Sequence, residues 1–264
     1  MYEYYTQNGY LVIKIKNDLV VGEHQSLEKF IDNVFTPDLM GCIVDILETT
    51  YIDSSGISIL LRIKKKFSIL SKSFFILVDN KRIEKVFIVS KLDKVLNLRK
   101  TFEECVDIKK KENNDTKDSD FKMQEFKIVI TSEFSYINVV QHFVYKIMKK
   151  LYDFSKTDEY DIKMALEESL TNSIEHGYKD NNIDGLIQVY ILCLSDEIII
   201  FIDDYGRGYD KNAILKKVDE TKKDPFSKRG RGFMILEKIT DNIHYDSVEN
   251  KVSSIIIAKK LKLK

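Results

Sequence analysis

The sequence predicts an α/β chain of two domains, with α+β character in the second. Three observations carry this. Along residues 10–106 the apolar residues switch repeatedly between a period of two and a helical spacing. The run Lys109–Lys122 (KKKENNDTKDSDFK) is almost free of apolar side chains, and such a segment cannot bury enough surface to offset its ordering entropy. Beyond it, two long helical patterns precede a series of strands. The 264 residues suffice for two compact domains, and the 44% hydrophobic content is ordinary for globular protein.

Taken in order, Tyr10 to Lys16 places Leu11, Ile13 and Ile15 on one face, the pattern of a half-buried strand. Gln25 to Phe35 carries Leu27, Phe30, Ile31 and Val34 at helical spacing. Cys42 to Leu47 reads as a short strand, Ser55 to Leu70 as a helix, Phe74 to Val78 as a strand and Arg82 to Ser90 as a helix. Thr101 to Val106 closes the unit with a short helix. The first domain is therefore 1–106, followed by a charged flexible linker over 107–122 and a second domain over 123–264. In that domain Glu125 to Ile130 is a strand, and Phe134 to Leu151 and Glu159 to His176 are helices. Ile187 to Leu194 and Ile198 to Asp203 are strands, and Tyr209 to Arg229 is a lysine-rich loop broken by Pro225. Gly232 to Ile239 is a helix, and Ile243 to Ser247 and Ser253 to Lys259 are the last strands. The basic tail Lys259–Lys264 reads as a solvated strand end.

Charge and composition narrow the function. Forty-two basic residues balance 42 acidic ones, which leaves no electrostatic footprint for direct nucleic-acid binding. Cys42, Cys105 and Cys193 are far apart, with no metal or disulfide spacing, so buried thiols in a reducing cytosol are expected. No basic segment followed by an apolar run opens the chain, and no stretch approaches a spanning helix, so a cytoplasmic protein without membrane contact is expected.

Asp53-Ser54-Ser55-Gly56 lies between a strand and a helix. Asp and Ser are preferred helix N-caps because their oxygens accept the first free backbone N–H groups, and such a turn needs nothing more. The same place suits a phosphate, which would meet free donors and the positive end of the helix dipole. It would also add about −1.5 to −2 charges beside Asp53, enough to alter a docking surface. The residues alone leave both readings open. Ile43-Val44-Asp45-Ile46 followed by Tyr51-Ile52-Asp53-Ser54-Ser55-Gly56-Ile57, with Ile83-Glu84-Lys85-Val86-Phe87 and Leu92-Asp93-Lys94-Val95-Leu96 downstream, resembles the STAS domain of anti-sigma-factor antagonists. The resemblance implies a phosphorylated serine immediately before the glycine: Ser55, with Ser54 as runner-up.

Three blocks follow in the second domain. Ala165-Leu166-Glu167-Glu168 leads to Asn172 and His176-Gly177-Tyr178; Glu168 and Asn172, four apart on a helix, share a face. A carboxylate and an amide so placed could orient a hydroxyl and ligate Mg²⁺ through oxygen, although such pairs also occur on solvated helices. Asp203-Asp204-Tyr205-Gly206-Arg207-Gly208 leaves a strand, where glycines permit close backbone approach and an acid can accept from an exocyclic amine. Arg229-Gly230-Arg231-Gly232 opens a helix, a turn suited to anions.

Their order and spacing resemble the GHKL ATPases of the Bergerat fold, and within them the anti-sigma-factor serine kinases. That resemblance implies an α/β sandwich with a mixed sheet and helices on one face. It gives Glu168 the part of general base and Asn172 that of Mg²⁺ ligand. Asp204 would recognise adenine, Gly206 and Gly208 would shape its pocket, and Gly230 and Gly232, with Arg229 and Arg231, would receive the phosphates of ATP. Tyr209–Arg229 would be the lid. Val252-Ser253 stands where the family often has Gly-Thr, so Ser253 keeps a hydroxyl but not the glycine. His176 falls inside the Glu/Asn block, and a helix-end packing or capping role is expected for it.

The two resemblances imply a bacterial partner-switching regulator: an ATP-dependent protein serine kinase acting on a STAS serine in cis or in trans. A sigma factor as output partner, a PP2C-type phosphatase and a homodimer follow by the same analogy. A linker of about 15 residues spans roughly 20 Å, so Ser55 is within tethered reach. The alternative is a non-catalytic nucleotide sensor, although binding alone does not need Glu168. A third reading has the kinase act on a separate STAS protein, with the fused domain as inhibitor.

Overall fold

Asn8 and Gly9 both take positive φ, 51° and 79°, as a two-residue hairpin between twisted strands requires. In the computed structural model, which describes residues 2–20, 24–107, 123–178, 185–206, 231–248 and 252–264, this turn joins β1 (Tyr2–Gln7) to β2 (Tyr10–Ile15). The sequence reading began the sheet only at Tyr10. β1 is mostly exposed; its only signal is the alternation of Tyr2 and Tyr4, which both meet the Phe30 ring, and the sequence reading did not use it. The chain divides at Ser119/Asp120 into two units. The linker expected over 107–122 lies almost wholly outside the described residues.

In the first unit α1 (His24–Val34), β3 (Gly41–Asp45), α2 (Ser54–Ile69), β4 (Ser73–Leu77) and α3 (Lys81–Val89) follow β2. Then come α4 (Leu92–Val95), β5 (Leu98–Arg99) and α5 (Phe102–Asp107). The sheet order is β1-β2-β3-β4-β5, with β1 antiparallel to β2 and the remaining pairs parallel. β3 is buried along its whole length, as expected of a parallel strand with both faces covered. Tyr10, Val12, Ile43, Phe75 and Leu77 form one face, under Phe102, Cys105 and Val106 of α5. Leu11, Ile13, Cys42, Val44 and Ile76 on the other face are equally buried, and α2 packs there against α1 and β4. α4 and β5 are too short to leave a periodic signal, and the sequence reading did not anticipate them.

The second unit runs β6 (Gln124–Thr131), α6 (Ile137–Leu151), β7 (Tyr152–Asp153), α7 (Lys156–Asn172), β8 (Leu186–Cys193) and β9 (Glu197–Asp204). It ends with α8 (Arg231–Ile239), β10 (Asn242–Val248), β11 (Val252–Lys260) and β12 (Lys262–Leu263). The main sheet is ordered β10-β11-β9-β8-β6. Every pairing in it is antiparallel, where the resemblance implied a mixed sheet. Val140, Val144, Leu166, Leu170 and Leu236 of the helices cover Val189, Ile191, Ile200, Ile202, Ile255 and Ile257 on one face. This face is the domain core.

The helix α7 begins at a capping box: Ser155 Oγ accepts from Asp158 N at 3.1 Å, and the Asp158 carboxylate accepts from Ser155 N at 2.9 Å. Such caps contribute about 1 kcal/mol. The Lys259 Nζ on β11 reaches Asp161 at 2.8 Å and Asp158 at 3.8 Å, tying the same end of the helix to the sheet. The basic tail is therefore structural rather than merely solvated. Leu261 is buried, and β12 pairs antiparallel with β7, a strand of two residues that periodicity cannot reveal. With its N-terminal end anchored, α7 and the turn after it reach the C-terminal end of β9, the central strand of the sheet.

Candidate functional site

The expected helix Glu159–His176 splits. Regular α-helix ends at Asn172, and Ser173–Tyr178 continues as a π-helical turn. Such turns are rare and frequent at functional sites. This one sends Gly177 toward the end of β9. A Cβ on Gly177 would lie 2.8 Å from Asp204 Oδ1, and one on Gly206 would strike the Gly177 carbonyl. Two glycines thus allow the helix end, the Asp204 carboxylate and the turn after β9 to pack with no side chain between them. The Tyr178 hydroxyl secures the junction. It accepts from Tyr205 N and donates to Leu186 O, each at 2.6 Å, and burial pushes its pKa up to about 12. The sequence reading quoted Gly177 and Tyr178 only as parts of a motif; their contacts join distant segments and leave no local signal.

Asp204 is almost wholly buried, at 3% exposure. Burial is the main cause that raises its pKa to about 7, and Asp203 adds to it, while the Gly206 N–H (3.3 Å) and the Ser173 hydroxyl pull the other way. Neighbouring Asp203 accepts from Ser254 Oγ. Ser253 is the strand partner of Asp204 and lies 3.3 Å, Oγ to Oγ, from Ser247. The structure therefore brings Ser253 beside Asp204, although the glycine that usually precedes this hydroxyl is a valine.

Glu168 and Asn172 lie one turn apart near the C-terminal end of α7, both half-buried. Burial raises the pKa of Glu168 above the ordinary carboxylate range, and the charges of Glu167 and Glu175 add to the shift. A carboxylate so placed is a better proton acceptor near neutral pH than an exposed one. At the start of α8, a Cβ on Gly232 would land on Glu168 Oε2. One helix end thus gathers Glu168, Asn172, Asp204, Gly206, Gly232 and, through the sheet, Ser253. His176 is exposed on the π turn, which does not fit the packing alternative of the packing or capping role expected for it. Gly208, Arg229, Gly230 and the Tyr209–Arg229 loop lie outside the described residues, as does the side chain of Arg231.

No trio of Asp, Glu, His or Cys ligands gathers among the described residues. A single amide oxygen such as that of Asn172 suits Mg²⁺ all the same, because this ion keeps several waters and leans on substrate phosphates.

In the first unit Asp53 caps α2, its carboxylate accepting from Gly56 N at 2.9 Å. Leu19 runs alongside: Leu19 N donates to Tyr51 O and Asp53 N donates to Leu19 O, at 3.1 and 3.0 Å. Asp18 Oδ1 takes Thr50 Oγ1 at 2.7 Å and Tyr51 N at 2.9 Å. A Cβ on Gly56 would collide with Leu19 O and stand 2.6 Å from Leu19 Cβ. Gly56 is the residue that lets this segment close over the first turn of α2. Ser54 and Ser55 are correspondingly buried, at 1% and 2% exposure. The sequence reading, which weighed a helix cap against a phosphate-bearing docking surface, did not foresee this burial. All three cysteines are free and buried, and burial pushes the thiols of Cys105 and Cys193 up to about 12 and about 11. Among the described residues no helix is long and apolar enough to cross a membrane.

A family model described as a STAS domain matches residues 1–105, and one described as a histidine kinase-like ATPase domain matches residues 130–259. An anti-sigma F factor of Clostridium novyi (strain NT) is 32% identical over 102 residues, 39% of this chain and 71% of that protein. The anti-sigma F factor of Clostridium beijerinckii is 33% identical over 100 residues, 38% of this chain and 69% of the other. A serine-protein kinase RsbW of Staphylococcus aureus (strain JH9) is 33% identical over 90 residues, 33% and 57% of the two chains. The chain belongs to the family of the anti-sigma F factors, built here as a STAS domain followed by a histidine kinase-like ATPase domain.

Proposed function

We propose that this chain is a partner-switching regulator whose ATPase domain is a protein serine kinase acting on a STAS-domain serine. Its own Ser55 is the first candidate acceptor, and a sigma factor is the partner whose binding the phosphate controls. The observation that carries the reading is the convergence at one helix end of a carboxylate with raised pKa, Glu168, an amide, Asn172, and a second carboxylate, Asp204, opened by Gly177 and Gly206. Mere nucleotide binding has no use for the first of these.

Asp204 would accept from the adenine amine, with Ser253 beside it. Asn172 would hold Mg²⁺, which supplies charge neutralisation at the phosphates. Glu168 would take the proton of the serine hydroxyl as its Oγ bonds to the γ-phosphorus and the bond from that phosphorus to the β-phosphate oxygen breaks, releasing ADP. Phosphoryl transfer is mainly positioning and electrostatics, so the burden falls on where Glu168 and the serine stand. Because Ser55 is buried in the first turn of α2, transfer also requires that turn to be uncovered, which makes access to the serine a second point of control.

Wild type and Glu168→Ala are incubated with Mg·ATP and mapped by mass spectrometry. Phosphate on Ser55 or Ser54 in wild type alone is the expected result. Nucleotide binding without phosphate on either serine removes the self-kinase part. Phosphate then found on an added STAS protein would make the action one in trans.

A further inference from the structure

In the first turn of a helix, a glycine whose backbone an alanine can adopt without strain leaves the unfolded chain more freedom than that alanine would. Gly232 occupies that place in α8, and its φ lies outside the left-handed region that would demand glycine. What the position lacks is room. The three atoms nearest to a Cβ built there are Oε2, Cδ and Cγ of Glu168, the latter two at 3.3 and 4.0 Å. They all belong to one side chain, and no backbone atom is among them.

We infer that Gly232 is a positioning residue for Glu168, its bare Cα leaving the space in which the carboxylate must stand to meet the serine hydroxyl. The contact is a property of the fold; its consequence for phosphoryl transfer rests on the kinase reading above. The part differs from the one the family resemblance implied, in which this glycine serves the phosphates of ATP. Here it serves the base. The far end of Glu168 is flexible and half-exposed, so an added methyl displaces the carboxylate rather than the backbone. Fold and chemistry should therefore respond to Gly232→Ala in opposite directions.

The full chain and its Gly232→Ala variant are compared by thermal melting, ADP calorimetry, serine phosphorylation rate and the ¹³C shift of the Glu168 side-chain carboxyl. Glu167 and Glu175 serve as internal references for the last. The variant is expected to melt at or above wild type. It should bind ADP within about threefold of wild type and transfer phosphate about a hundredfold more slowly, the usual cost of misplacing a reacting group by an ångström. The Glu168 resonance moves while those of Glu167 and Glu175 stay. Glu168→Asp, which withdraws the carboxylate by one methylene, costs less activity in the Gly232→Ala background than alone, the coupling expected of residues in contact. An unmoved Glu168 resonance overturns the inference, as does a loss confined to ADP affinity. If wild type transfers no phosphate but the resonance still moves, the kinase reading falls and the contact stands.

Discussion

Two buried aspartates stand where an element begins or ends, Asp53 before α2 and Asp204 at the end of β9, and their surroundings differ. Asp53 is spent on the fold: its carboxylate caps α2 through Gly56 N at 2.9 Å, inside a turn closed by Leu19. Asp204 is nearly as buried, yet its nearest backbone donor, Gly206 N, is at 3.3 Å, and burial lifts its pKa to about 7. A carboxylate held in a dry place is disfavoured in its charged form, which destabilises the domain where it must ionise. Carboxylates with pKa values shifted by burial cluster at functional sites. Similar local sequence, an acid followed within a few residues by glycine, thus makes a helix cap in one half and, in the other, the buried carboxylate to which the proposed function assigns adenine.

The comparison is tested hardest by Asp204→Asn. The ligand loses a charged acceptor, a change worth about 1.5–3 kcal/mol or roughly a 10- to 150-fold loss of ADP affinity by calorimetry. Stability moves the other way. The Asp204 carboxyl binds its proton more tightly in the folded chain (pKa about 7) than in the unfolded one, whose ordinary value is 3.8. Its contribution is therefore most favourable below the unfolded value and is lost progressively as pH rises to about 7. Asp204→Asn should raise the melting temperature of the ATPase domain more at about pH 8 than at about pH 5. Wild-type ADP affinity should fall as pH is lowered through about 7 and level off near that of the variant, because the ionised carboxylate is the stronger acceptor and the protonated one keeps only a neutral carbonyl. The variant should lose that dependence. A variant that binds ADP like wild type would remove Asp204 from the site.

The glycines sharpen the same contrast. In Gly56→Ala the new methyl meets backbone at Leu19 O and packed carbon at Ile52 Cγ1, 2.7 Å away. Neither can yield cheaply, so the STAS domain should lose about 1–3 kcal/mol in denaturant titration. In Gly177→Ala the methyl meets the Asp204 carboxylate, the movable end of a side chain. The expected result is a melting temperature close to wild type and ADP affinity weakened by about tenfold. Equal destabilisation of the two domains would erase the distinction between a glycine that serves packing and one that serves a ligand.

These contacts also mark the limit of what the sequence discloses. Strands such as β2, β8 and β9 were legible because their apolar residues have a period or run that only burial explains. The same holds for α2 and α6, whose stripes face a core. β1, β5, β7 and β12 were not, because an exposed or two-residue strand is made by its partner and has little pattern of its own. Glu168, Asn172 and Asp204 were legible as residue types at a family spacing. Their meeting was not, since the helical pattern past Asn172 gives no sign of the π turn that carries Gly177 to Asp204. Nor does the sequence around Gly232 mention Glu168. Burial of Ser55 was missed for a related reason: the cap geometry was foreseen, but the pairing of Leu19 with Ile52 that closes the turn is a long-range bridge.

The smallest expected effect is the most direct test of the opposition. Asp53→Asn retains a side-chain oxygen that can accept from Gly56 N, and asparagine ranks with aspartate among N-caps. The charge is lost, and with it the favourable interaction with the helix dipole, worth about 0.3–1 kcal/mol. The STAS domain should therefore unfold within about 1 kcal/mol of wild type, whereas Asp53→Ala, which removes the acceptor, should cost about 0.5–2 kcal/mol. The substitution expected to weaken ADP binding at Asp204 would then be nearly silent at Asp53. Were Asp53→Asn as damaging as Asp53→Ala, the negative charge itself, and not the hydrogen bond, would be what the turn requires. A phosphate on the adjacent Ser55 would then be added to a charge the fold depends on, and the two would repel across the same helix end.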